Sequence, residues 1–132
     1  MLNDVDHIAI AVRDLETAIS FYENTFEVEV EHREFIANDL VEEAMLKVGS
    51  SYIQLVCPTS PNSTVAKFLE KRGEGLHHVG YRVTNCAEVL EQVKSMGFEV
   101  LDEIPRPGSR GTTVAFIHPK AAFGTLIELV QI

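Results

Sequence analysis

Two stretches decide the fold: HIAIAVRDLETAISFYENTFEVEV, residues 7–30, and HVGYRVTNCAEVLEQVKSMGFEV, residues 78–100. Both open on a histidine and alternate for several residues, as a half-buried strand does. Both then reach a polar residue suited to a helix N-cap, Asp14 in one and Asn85 in the other. Apolar side chains follow at helical spacing: Leu15, Ala18, Ile19 and Tyr22 in the first copy, Cys86, Val89, Leu90 and Val93 in the second. Asn85 and Glu88 have the spacing of a capping box, and Gly97 is a favoured helix stop.

Each copy continues into strands. Residues 27–35 and 98–103 read as second strands, 42–48 and 112–118 as third, and 52–56 and 125–130 as fourth. The fourth strands match closely, Ile53-Gln54-Leu55-Val56 against Ile127-Glu128-Leu129-Val130. The chain is therefore expected to be one α+β domain over residues 1–132, built of two tandem βαβββ modules at about 5–57 and 75–132. Its mixed sheet should curl into a cup with the helices outside. Between the modules, PTSPNSTVAKFLEKRGEG forms a linker over about 58–74, with a short helix capped by Ser63 and ended by Gly73.

The repeat matches four polar residues in pairs. His7 and His78 open the first strands; Gln54 and Glu128 lie in otherwise apolar last strands. An unpaired carboxylate buried there would be costly. Alternation gives His7 the small neighbours Ala9 and Ala11 on its face, and gives His78 the neighbour Gly80, which leaves room for a ligand. His77 faces the other way and matches no histidine in the first copy, so it reads as structural or as a support behind a ligand. Two imidazoles, a carboxylate and an amide suit one divalent metal, and the donor set does not choose among Co²⁺, Ni²⁺, Mn²⁺, Fe²⁺ and Zn²⁺.

Composition narrows the function classes. A net charge of −9 argues against nucleic acid as a partner. No apolar run approaches membrane-spanning length, and the N-terminus lacks a basic region followed by an apolar one. Cys57 and Cys86 form no CxxC motif, so they are expected to be reduced thiols in a cytoplasmic protein.

The segments DHIAIAVRDLETAISFYENTF, SPNSTVAKFLEKRGEGLHHVGYRV, EIPRPGSRGTTVAFIHPK and GTLIELVQ cover nearly the whole chain. Together they resemble the methylmalonyl-CoA epimerases of the vicinal oxygen chelate (glyoxalase/bleomycin resistance/dioxygenase) superfamily. The resemblance implies metal ligands at His7, Gln54, His78 and Glu128. It also implies two acid–base glutamates on opposite sides of the substrate carbon, Glu128 and one in LVEEAML. Strand alternation does not choose between Glu42 and Glu43; the family's pattern falls on Glu43. Relatives commonly carry Gly-Val before this strand, where the chain has Leu40-Val41.

The implied reaction interconverts (2R)- and (2S)-methylmalonyl-CoA by proton transfer at the carbon next to the thioester. Each base then needs a pKa raised toward the working pH, although at Glu128 direct metal contact pushes the other way. The partner is an acyl-CoA thioester, for which Lys67, Lys71, Arg72, Arg106, Arg110 and Lys120 are available cations, and a homodimer is expected. Two other readings use the same scaffold. A lactoylglutathione lyase commonly has Glu at the place of Gln54 and Arg at that of Ala11. A ligand-sequestering protein without metal has no need of all four ligands.

Overall fold

The computed structural model describes residues 1–132. Its strands and helices run β1 (Asp4–Ala11), α1 (Leu15–Phe26), β2 (Val30–Ile36), β3 (Val41–Val48), β4 (Ser51–Pro58), α2 (Thr64–Arg72), β5 (Gly75–Arg82), α3 (Cys86–Ser95), β6 (Arg106–Pro107), β7 (Thr113–Ile117) and β8 (Ile127–Gln131). The βαβββ order thus occurs twice, with α2 between the copies. No helix is long and apolar enough to cross a membrane. The chain forms two compact units, residues 8–77 and residues 1–7 with 78–132.

In the unit of residues 8–77 the strands lie in the order β2-β3-β4-β1, with antiparallel β2/β3 and β3/β4 pairs. Asp14 starts α1 by accepting the Thr17 N–H at 2.9 Å. Leu15 and Ile19, one helical turn apart, then pack on Val12, Ala44, Leu46 and Leu55. Burying each such aliphatic side chain stabilises by roughly 1.5–3 kcal/mol. Ser63 caps α2, whose Val65 and Leu69 pack with Ala11, Val41 and Val56. Because β3 turns Ala44 and Leu46 toward α1, Glu43 and Met45 lie on the opposite face. β2 begins at Val30, later than its residue pattern indicates, because Glu27 ends α1 in a left-handed conformation with φ 56°.

In the other unit the order is β1-β5-β8-β7-β6. β5 and β8 are parallel, with Gly80 opposite Glu128; β7 and β8 are antiparallel, with Phe116 opposite Glu128. Asn85 caps α3 by accepting the Glu88 N–H at 3.1 Å, and Cys86, Val89 and Leu90 pack on Ala115, Ile117 and Leu129.

One expected strand does not form. Over residues 98–103 the chain forms one isolated bridge, Val100–Ile117, flanked by the bonds Leu101 N–H to Phe116 O and His118 N–H to Glu99 O, and the second strand of this copy is the two-residue β6. Asp102 supplies the reason: its carboxylate, not a strand carbonyl, accepts the Phe116 N–H at 2.8 Å. Phe98 and Leu101 are left exposed, so no apolar face drives further pairing.

Candidate active site

Three of the polar residues singled out above meet in the unit of residues 1–7 and 78–132. His7, His78 and Glu128 are all buried, although each is polar. His7 Nε2 lies 2.8 Å from Glu128 Oε1 and 3.0 Å from His78 Nε2, and His78 Nε2 lies 3.4 Å from Glu128 Oε1. At metal–donor bonds of about 2.1 Å, neighbouring ligands of an octahedral or tetrahedral ion are roughly 3.0–3.4 Å apart. The donor triangle therefore fits one divalent cation. The local folding is simple: β1 and β5 each present their histidine, and β8 presents Glu128 opposite Gly80. Phe116 packs edge-on against His78, with ring centroids 5.2 Å apart.

The electrostatics of the triangle are those of a site built for positive charge. Burial alone would lower the pKa of His7, but its bonds to Asp6 and Glu128, with their charges, raise it to about 9. Burial would raise that of Glu128, but hydrogen bonds and charge from His7 and His78 bring it down to about 2. A proton on His7 thus supplies the positive charge between two carboxylates. Glu128 is thus held below its ordinary range, because the imidazoles outweigh desolvation.

Asp6 was not singled out by sequence, yet it completes the surroundings of His7. It is fully buried, and its Oδ2 is 2.7 Å from His7 Nδ1. This contact gives the Nδ1–H an acceptor and leaves Nε2 facing Glu128 and His78. Arg82 and Arg110 also donate to Asp6, and with His7 they hold its carboxyl well below the ordinary range against the effect of burial. The one available signal was an acidic residue inside an apolar strand. Arg110 is engaged here, and Arg106 pairs with Asp102 at 3.2 Å while lying over Phe116.

Gln54 and Glu43 are neighbours in the unit of residues 8–77. Both are buried, and Gln54 Nε2 donates to Glu43 Oε2 at 3.1 Å. Gln54 Oε1 is buried without a hydrogen-bond partner, the condition of an oxygen suited to a cation. Glu42, by contrast, is half exposed and paired with Arg33 at 2.9 Å. On β2, Glu34 stands opposite Glu43 and is bonded to His32 at 2.8 Å, so that His32, Glu34 and Glu43 form a second polar cluster. His77 packs edge-on against Phe68, as a structural side chain does. His118 caps a short turn by accepting the Lys120 N–H at 3.0 Å.

Known proteins supply the context for this geometry. Residues 6–116 match the family model of the glyoxalase/bleomycin resistance protein/dioxygenase superfamily. The ethylmalonyl-CoA/methylmalonyl-CoA epimerase of Cereibacter sphaeroides is 35% identical over 134 residues, covering 100% of both chains. The mitochondrial methylmalonyl-CoA epimerase of Homo sapiens is 33% identical over 98% of this chain and 74% of its own. A solved methylmalonyl-CoA epimerase in complex with methylmalonyl-CoA and NH4⁺ superposes with a TM-score of 0.96 at 40% identity, covering 99% of this chain and 95% of that one. The fold is thus the vicinal oxygen chelate fold, and the chain belongs to the glyoxalase/bleomycin resistance protein/dioxygenase superfamily.

Proposed function

We propose that this protein is a metal-dependent methylmalonyl-CoA epimerase. The observation that carries the reading is the triangle of His7, His78 and Glu128, with donor atoms spaced as neighbouring ligands of one ion. We assign Gln54 Oε1 as the fourth protein donor, on the ground that it is a buried oxygen without a hydrogen-bond partner. Co²⁺ is the ion we expect first. When bound, the ion supplies a Lewis acid for the thioester carbonyl and so eases loss of the neighbouring proton.

The chain's own residues then move that proton. Glu43 takes or returns it on one face of the carbon, and Glu128 does so on the other. Gln54 orients Glu43 by donating to its Oε2. Glu128 points Oε1 at the two imidazoles, and we assign the proton to Oε2. Two bases held on separate strands, β3 and β8, suit a reaction in which the proton leaves one face and arrives at the other. The acyl group admits some latitude: ethylmalonyl-CoA differs by one methylene, which an apolar pocket discriminates weakly. The homodimer expected for the protein belongs to the same proposal and is checked by light scattering.

The test is incubation of the metal-loaded protein with (2R)-methylmalonyl-CoA in D₂O. The expected result is a mixture of epimers carrying deuterium at the carbon between thioester and carboxylate. Recovery of the (2R) epimer without deuterium overturns the reading.

A further inference from the structure

Asp6 joins three separate segments. Its Oδ1 accepts from Arg82 Nε at 2.9 Å on β5, and its Oδ2 accepts from His7 Nδ1 at 2.7 Å on β1 and from Arg110 Nη2 at 2.5 Å on the loop before β7. A carboxylate with no exposure and three donors on two oxygens has little freedom to rotate. The imidazole bonded to it is correspondingly fixed. With Nδ1–H given to Asp6, Nε2 is the atom that faces Glu128 and His78, and it is the one that carries the lone pair when the ring is neutral.

Arg110 is the unusual member of this set. It lies in a short turn, Ser109–Gly111, and its backbone is left-handed at φ 57°, ψ 27°, a conformation that L side chains rarely adopt. The turn is closed on itself by Gly108 N–H to Thr112 O at 2.8 Å and Thr112 Oγ1 to Ser109 O at 2.6 Å. Its one long cationic side chain reaches inward and is largely shielded from solvent. A strained residue whose side chain ends on the carboxylate behind a buried histidine points to a task at that histidine.

We propose that Arg110 is a positioning residue for His7. By holding Asp6 it keeps the Nδ1–H of His7 occupied and Nε2 aimed into the donor triangle, so the loop of residues 108–112 sets the cluster's affinity for a divalent cation. The inference rests on the reading of His7, His78 and Glu128 as metal ligands. It adds that the ligand set extends, through Asp6, to a loop distant in sequence. Partners behind a metal-bound histidine commonly change metal affinity 10–100-fold when removed.

The experiment measures the Co²⁺ dissociation constant by chelator competition for the wild type and for R110M, R110K and K94M. It also follows exchange of the His7 Nδ1–H in the Zn²⁺-loaded protein by NMR. R110M is expected to bind Co²⁺ about 10-fold more weakly and to exchange the Nδ1–H faster. R110K, which keeps the cation, recovers part of the loss. K94M removes a cation paired with Glu91 and Glu103, away from Asp6, and should bind as the wild type does. A merely structural role for Arg110 lowers Tm without moving affinity or exchange. R110M binding within twofold of wild type, or R110M and K94M weakened alike, overturns the proposal. If R110M does not fold, R110Q gives the same comparison, and wild-type affinity there overturns it equally. A wild-type protein that binds no Co²⁺ removes the metal reading itself, and the proposal with it; that result differs from one in which wild type and R110M bind equally.

Discussion

Gly80 faces the ring of His7 so closely that a Cβ at position 80 would sit 2.3 Å from the imidazole Cε1. The backbone of Gly80 is not left-handed, so the requirement is for space and not for conformation. Ala at this position must push His7 out of line with Glu128 and His78. Gly80→Ala is expected to fold, with native circular dichroism, yet to bind Co²⁺ at least about 10-fold more weakly. Unchanged affinity by chelator competition contradicts the assigned role of His7.

Glu43 and Glu42 are adjacent in sequence and opposite in environment, one fully buried beside Gln54, the other half exposed against Arg33. Removing a general acid–base group typically costs 10²–10⁴ in rate. Glu43→Gln is therefore expected to lower kcat by about 100-fold or more while metal content stays near the wild-type level. Glu42→Gln should change kcat less than about threefold, because a surface ion pair contributes little. Equal losses in the two variants, measured by epimer analysis, remove Glu43 from the mechanism.

The two thiols should differ in reactivity. Cys86 is fully buried at the first position of α3, and burial pushes its pKa up to about 11; Cys57 is half-buried, and burial raises its pKa as well. At pH 8 an aromatic disulfide reagent is expected to label Cys57 slowly and Cys86 only on unfolding. Rapid release of two equivalents from the native protein contradicts the burial of Cys86.

Much of this site was legible because it lies on a repeat. Alternation about a histidine, which the structure places fourth in both β1 and β5, separated His78 from His77, and the structure brings His78 to His7 while His77 packs on Phe68. Caps at Asp14, Ser63 and Asn85 were legible for the same local reason: each is a short polar side chain ahead of an apolar helical face. What was not legible depends on contacts between distant segments. Nothing near Arg110 in sequence indicates that its side chain reaches Asp6, and nothing near Asp102 indicates that its carboxylate replaces a strand carbonyl. Leu40 is a related case. It takes the left-handed conformation, φ 53°, which is unfavourable for an L side chain and which no neighbouring residue in sequence indicates.

The pH dependence of stability in the metal-free protein follows from the triangle. His7 is held up to about 9 against an ordinary value of 6.5, so the folded chain binds its proton more tightly than the unfolded chain. That contribution is complete below about 6.5 and declines as pH rises through about 9. Glu128 is held down to about 2 against 4.5, so its contribution is complete above about 4.5 and is lost as pH falls toward about 2. Both displacements largely describe one ion pair, and their effects are not additive. At about 1.4 kcal/mol for each tenfold difference in proton affinity, the rise in pH removes on the order of 3 kcal/mol, enough to lower Tm by several degrees. Melting the chelator-treated protein between pH 5.5 and 9.5 is therefore expected to show a plateau up to about 6.5 and a fall beyond it. Glu128→Gln should flatten part of that fall, since Asp6 and Glu128 both hold the proton on His7 and the bond to Asp6 remains. A wild-type Tm that does not change across this range is incompatible with a protonated His7 between Asp6 and Glu128.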